Sequence, residues 1–205
     1  IILSHLGMSG RYTLFDDTKV RAFSETQNNL SRFGTATGFD GRHDHVEFQF
    51  DDGGVAVYTD PRRFGIMDLI DVGEEEIHSL LEHLGPEPLL NWDAKQLAKA
   101  LKNKSTNIKV ALLDQQIVVG VGNIYASESL FKAKIHPQTP SMHLNKPQII
   151  ALTKAIKYIL RRAVQKGGTT INDYLGSGEG GRFQQKLSVY GRNEQLCQNC
   201  SKAFI

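Results

Sequence analysis

The chain has 205 residues, 40% of them hydrophobic and 22% charged, with a formal net charge of +2. This is globular composition: it excludes wholesale disorder and supplies enough apolar residues for real cores. No stretch approaches the roughly 20 apolar residues of a membrane span, and the two cysteines, Cys197 and Cys200, are too few for a secreted disulfide framework. An intracellular soluble protein with no membrane role is the expectation. The small net charge hides an asymmetry. Residues 1–100 hold 9 Lys/Arg against 17 Asp/Glu, whereas residues 101–205 hold 15 against 5. Such a basic half fits either a polyanionic partner or a solubilising surface.

The first 72 residues read as strands. IILSHLGM, RYTLF, HVEFQF, VAVYTD and FGIMDLI are short runs, β-branched or aromatic, with partial period-two alternation. The DDGG between HVEFQF and VAVYTD predicts a hairpin turn. The polar stretch from Asp16 to Arg42 reads as a long insertion joining two strands of one antiparallel sheet. The second half reads as helices. VGEEEIHSLLEHLG has acidic residues in its first turn and a glycine stop, and Trp92–Asn103, Ile108–Leu113, Ile124–Lys132 and Pro147–Gln165 follow. Along the last of these, Ile149, Leu152, Ile156, Ile159 and Leu160 form one stripe. A strand-like tail, KLSVYGR, precedes the cysteine pair. The chain starts inside an apolar run and stops just past Cys200, which predicts an internal fragment of a longer protein.

Several short patterns carry chemistry. QQIVVGVGN is a turn containing Gly120 and Gly122, with Asn123 predicted as the N-cap of the next helix. Backbone N–H groups and the positive dipole end can hold a phosphate there, although a tight packing corner has the same signature. DPRRFG follows a strand. Its Phe64 suits filling a gap in a base stack while Arg62 and Arg63 reach bases or phosphates. Alternatively, Asp60 pairs with Arg62 or Arg63 and Phe64 joins the core. His43 and His45 fall on one face of a strand but lack the further ligands of a metal site. Cys197-x-x-Cys200 is half of a four-cysteine zinc ribbon, or else a redox pair without its usual βαβ setting.

Taken in order, HLGMSG, DPRRFG, LGPEPL, VVGVGNIYASESLF with IHP, GGTTINDYL, VYGR and the cysteine pair resemble the bacterial-type formamidopyrimidine-DNA glycosylase family. The resemblance spans essentially the whole chain. It implies an α+β fold: an antiparallel β-sandwich-like N-terminal domain over 1–72 with a long insertion at about 16–42. A helical helix-two-turn-helix domain with a lesion-recognition loop covers 73–188, and a truncated zinc-ribbon hairpin covers 189–205. It implies base-excision repair by a bifunctional glycosylase and abasic-site lyase acting on oxidised purines in damaged double-stranded DNA. The protein would be a monomer in the bacterial cytosol, associated with the nucleoid.

The resemblance also assigns roles. Met8, Arg62 and Phe64 match the residues that enter the duplex when the damaged nucleotide rotates out. His43, Arg62, Arg63, Lys104, Lys109, Asn123, Tyr190 and Arg192 match DNA contacts. Cys197 and Cys200 match half of the site for one zinc, incomplete here. The family's N-terminal proline nucleophile, catalytic Glu and elimination Lys match nothing in this chain and are expected upstream of Ile1. The ribbon Arg is expected beyond Ile205. An inactive chain that binds and flips is therefore the expectation. In SGEGGRF, Arg182 before Phe183 departs from the family's Gly-Tyr-Phe pattern, which bears on base selectivity. An endonuclease VIII-like enzyme for oxidised pyrimidines, or a non-catalytic DNA-binding module, are the alternatives.

Overall fold

The five apolar runs of the first 72 residues form two small antiparallel sheets. The computed structural model describes residues 1–7, 9–18, 41–75, 78–168 and 187–205. These divide into two compact units, Ile1–Val72 and a second made of the described residues from Gly73 on. In the first unit, β1 (Ile2–His5) pairs with β5 (Ile66–Leu69), and β4 (Val55–Thr59) lies between β2 (Arg11–Phe15) and β3 (Asp44–Gln49). All five residues of β4 are buried, because it is the central strand of its sheet. Phe15, Val55 and Val57 form its small core, and the Tyr12 ring lies 5.3 Å from that of Tyr58.

The DDGG turn closes the β3–β4 hairpin as expected. Gly53 N–H donates to the Phe50 carbonyl, and Gly53 sits at φ +82°, which is why glycine is needed there. The chain crosses between the sheets twice, from β1 to β2 through residues 6–10 and from β4 to β5 through residues 60–65. Both crossings carry candidate site residues. Nearly all of the polar insertion and the whole SGEGGRF stretch lie outside the described residues.

In the second unit, α1 (Ala94–Leu101), α2 (Ile108–Leu113), α3 (Asn123–Ala133) and α4 (Lys146–Gln165) pack around one core. Asp93 and Asn145 cap α1 and α4, each in a reciprocal box with the glutamine three residues on, Gln96 and Gln148. Leu97, Ile108, Leu112, Leu152 and Ile156 are completely buried. Each contributes about 1.5–3 kcal/mol of transfer free energy. Of the predicted stripe of α4, Ile149, Leu152, Ile156 and Leu160 face this core, whereas Ile159 packs with Ala163 in a separate small cluster.

Two predicted elements do not form. In the 72–85 segment, the described residues make turns, with the Leu81 and Glu82 amides both donating to the His78 carbonyl. Leu80 and Leu84 are exposed there, so the described residues of the segment offer no buried apolar face to stabilise a helix. The tail over 187–192 is bent and turned rather than a strand, since its amides bond to a side chain instead of a ladder. Among the described residues, no helix is long and apolar enough to cross a membrane.

Candidate nucleic-acid interface

In the first unit, the DPRRFG loop displays its three central side chains. Arg62, Arg63 and Phe64 are all exposed, Phe64 by 54%. The Arg62 guanidinium carbon lies 4.6 Å from the centre of the Phe64 ring, a cation–π distance. Arg63 holds φ +56°, a conformation that costs a non-glycine residue about 1 kcal/mol or more. The alternative with Phe64 in the core therefore does not occur.

Asp60 anchors the loop from inside, with 1% of its surface exposed. Its Oδ1 accepts from Ser9 Oγ at 2.6 Å and from the Arg62 amide at 3.3 Å. Its Oδ2 accepts from the Gly65 amide at 2.8 Å and from the Tyr58 hydroxyl at 3.3 Å. Burial pushes this carboxyl up, but the bonds from Ser9, Gly65, Arg62 and Tyr58 outweigh it and leave Asp60 below the ordinary carboxylate value. Burial, then the neighbouring Asp60 charge, pushes the Tyr58 phenol up.

His43 is half-buried beside this loop, and its carbonyl accepts from the Asp60 amide at 2.9 Å. His45 Nε2 donates to the Asp60 carbonyl at 2.9 Å. The two histidines do not share a strand face as the spacing predicts. His43 precedes β3, and a bulge between Asp44 and Val46 breaks the alternation at His45. Met8 lies outside the described residues.

In the second unit, the QQIVVGVGN turn is half core and half surface. Ile117, Val118 and Val121 are buried and fix it, while Gly120, Gly122 and Asn123 face outward. Gly120 sits at φ +74°, and its amide donates to Gln115 Oε1 at 3.2 Å. LGPEPL buttresses the turn: the Gly85 amide donates to the Gln115 carbonyl, and a Cβ on Gly85 would lie 2.6 Å from the Gln116 oxygen.

Gly122, with extended backbone, is the N-cap of α3, so Asn123 is its first helical residue and not the cap. Glycine can take the capping conformation without using a side chain. The exposed Asn123 carboxamide thereby stands beside the amides at the helix start, which no capping side chain takes. Lys104 Nζ lies 3.2 Å from Asp114 Oδ2, and Lys109 is half-buried on α2. The Gln116 amide, then Lys104, holds the Asp114 carboxyl below its ordinary value.

The tail rests on a residue that the sequence reading passed over. Glu128 on α3 is buried, and its carboxylate accepts from the amides of Ser188, Val189 and Tyr190 at 2.8–3.0 Å. Arg192 braces the same segment through the Ser188 carbonyl at 2.8 Å, the Leu196 carbonyl at 3.2 Å and Gln195 Oε1 at 3.0 Å. Those bonds use three of its five N–H donors.

Leu196 and Phe204 then bridge a tight hairpin that carries Cys197 and Cys200 as free thiols. The Ala203 amide, the Lys202 amide and Cys197 hold the Cys200 thiol below its ordinary value. Among the described residues, no three His, Cys, Asp or Glu side chains gather as a metal site.

The structure thus gathers Arg62, Arg63, Phe64 and His43 around one loop of the first unit. In the second unit, Lys104 and Asn123 flank α2 and the turn that follows it, and Tyr190 and Arg192 lie at the start of the hairpin. Asp60 and Glu128 were missed as organisers. An acid opening a PRRF turn was a legible signal, but a lone Glu in the helical run NIYASESLF was not.

Residues 84–174 match the model of the formamidopyrimidine-DNA glycosylase H2TH domain, and residues 1–67 that of the formamidopyrimidine-DNA glycosylase N-terminal domain. The formamidopyrimidine-DNA glycosylase of Acinetobacter baylyi is 45% identical over 201 residues, covering 97% of this chain and 66% of that protein. That of Neisseria meningitidis is 44% identical over 207 residues, covering 100% and 70%. Among solved structures, Lactococcus lactis Fpg in complex with DNA containing an abasic site superposes with a TM-score of 0.79 at 33% identity, covering 97% of this chain and 66% of that one. Thermus thermophilus MutM (Fpg) gives 0.78 at 30% identity, covering 97% and 67%. The chain spans about two thirds of the length of the curated relatives it matches.

Proposed function

The chain belongs to the formamidopyrimidine-DNA glycosylase family, and from that premise we propose that the protein is a base-excision repair enzyme. It is a bifunctional glycosylase and abasic-site lyase that removes oxidised purines, such as formamidopyrimidines and 8-oxoguanine, from damaged double-stranded DNA. It works as a monomer in the bacterial cytoplasm. The residues of this chain bind and reshape the duplex, and no bond-breaking step is assigned to them.

The observation that carries the reading is the exposed Phe64 ring with the Arg62 guanidinium stacked on it, on a loop whose base is buried. An aromatic ring displayed this way fills the gap left when a nucleotide leaves the stack, and the guanidinium reaches the bases or phosphates beside the gap. Met8 is the third member of this wedge. His43 and Arg63 hold backbone on the same side. In the helical unit, Asn123 donates to a phosphate at the start of α3, where the helix dipole favours the negative charge. Lys104, released from Asp114, contributes charge there, as do Lys109, Tyr190 and the two remaining N–H groups of Arg192.

Zinc fits the hairpin as a structural metal. Cys197 and Cys200 present two sulfurs on a tight turn, and the Lys202 and Ala203 amides are directed at the Cys200 sulfur, as second-sphere donors are around bound thiolates. These two residues would hold half of the tetrahedral ligand set, and the metal would cross-link the hairpin.

The reading is tested by fluorescence anisotropy with an intact duplex and the same duplex carrying a tetrahydrofuran abasic analogue. Wild type prefers the abasic duplex, and Phe64→Ala loses that preference while keeping its affinity for intact DNA. Equal affinities for the two duplexes in wild type would refute it.

A further inference from the structure

We infer that Asp60 is a positioning residue, locking Ser9 and the 60–65 loop into one preformed wedge whose geometry is set before DNA arrives. The inference rests on the base-stack reading of Phe64. Asp60 is the point where the chain's two crossings between sheets are tied. Oδ1 holds Ser9 of the first crossing, at 2.6 Å, and Oδ2 holds the Gly65 amide of the second, at 2.8 Å. Ser9 Oγ also accepts from the Arg62 amide at 3.3 Å, so the same hydroxyl touches both loops. The Asp60 main chain is fixed in turn to His43 and His45, each at 2.9 Å.

Sterics complete the lock. A Cβ on Gly7 would come within 2.8 Å of the Phe64 carbonyl carbon, and a Cβ on Gly65 would overlap the Tyr58 hydroxyl. The loop backbones therefore touch with no side chain between them. This explains how Arg63 is kept at φ +56° and Phe64 in the open, neither of which the loop would hold alone. An exposed ring on a loose loop must be ordered when it enters a stack, and that cost opposes insertion. A loop fixed in advance avoids it. A carboxylate suits the task because its partners, Ser9, Tyr58, Arg62 and Gly65, each offer it an N–H or O–H donor.

The experiment uses the full chain and the two duplexes above, with 2-aminopurine beside the tetrahydrofuran site to report local unstacking. Ser9→Ala, Ser9→Thr, Asp60→Asn and Phe64→Ala are compared with wild type, with amide NMR spectra recorded for each. Ser9→Ala and Asp60→Asn should retain intact-duplex affinity within twofold. They should lose about tenfold in abasic-duplex affinity, together with most of the 2-aminopurine signal. Ser9→Thr, which restores the hydroxyl, should return to within twofold of wild type.

Ser9→Ala and Asp60→Asn with wild-type preference, where Phe64→Ala has lost it, would overturn the positioning role and leave the wedge standing. Wild-type preference in Phe64→Ala would overturn the wedge reading and the inference with it. Should Asp60→Asn fail to fold, Ser9→Ala against Ser9→Thr decides alone. Loss of intact-duplex affinity in Ser9→Ala, in step with the preference, would reduce the hydroxyl to a folding contact and also overturn the inference.

Discussion

Replacing Glu128 tests how the helical unit holds the start of the hairpin. Its Oε1 accepts from the Ser188, Val189 and Tyr190 amides, and its Oε2 from Ser188 again. Hydrogen bonds to a charged group contribute about 1.5–3 kcal/mol each, but adjacent ones are not additive and the freed amides regain water. Glu128→Ala should therefore cost about 3 kcal/mol of local opening free energy, roughly a hundredfold in amide exchange protection at 188–190. Glu128→Gln keeps one oxygen for Val189 and Tyr190 and turns its NH2 toward the Ser188 amide. It should lose about one bond, near tenfold in protection. Hydrogen exchange is the right assay, since it reads the 188–190 amides separately from those of the core around Leu97, Ile108 and Ile156. Unchanged protection in Glu128→Ala, or equal losses in the two variants, would show that the Glu128 carboxylate does not hold these amides.

Other expectations follow from single contacts. Asn123→Ala should weaken binding to damaged and intact duplexes alike, by about 1–3 kcal/mol; a loss confined to one base sequence would mean that Asn123 reads bases. Lys104→Met should lower the salt dependence of log Kd by about one unit, and by NMR titration the Asp114 carboxyl should rise as it loses its lysine. Asp60 has a folded pKa below its unfolded value, so its contribution is complete above the unfolded value of about 3.9 and is lost as pH falls through the folded one. Acid melts followed at β4 should show a steeper stability loss below about pH 4 in wild type than in Asp60→Asn. Where two further ligands complete the site, zinc should slow alkylation of both thiols, and Cys200→Ser should remove the protection of Cys197.

Much of this was legible because local chemistry and tertiary structure agree. β4 reads as a continuous apolar run because it is buried on both faces, and Ile108–Leu113 keeps its predicted bounds because Ile108, Ala111 and Leu112 enter the core. The 72–85 segment had helix-like charges and a glycine stop, but helices in proteins are held by packing, and Leu80 and Leu84 find none. The KLSVYGR tail alternates like a strand, yet Glu128, sixty residues away in sequence, takes the amides that a ladder would need. Asn123 is a strong capping residue, but Gly122 occupies that position and turns Asn123 into an outward-facing group. At the wedge loop composition left an exposed and a buried Phe64 equally open, and the family resemblance favoured the exposed one that the structure shows. The buried acid that shapes it was legible as an acid opening the turn but not as its organiser, because its partners Ser9 and Gly65 lie on separate crossings of the chain.

The central claim is that Phe64 enters the duplex at the damaged position. A photoreactive benzoylphenylalanine in place of Phe64, irradiated with an abasic-analogue duplex labelled on either strand, tests it most directly. Crosslinks should form to the base opposite the analogue and to its immediate neighbours, and be absent with the intact duplex. Crosslinks spread evenly along both strands, or the same yield with intact DNA, would contradict it.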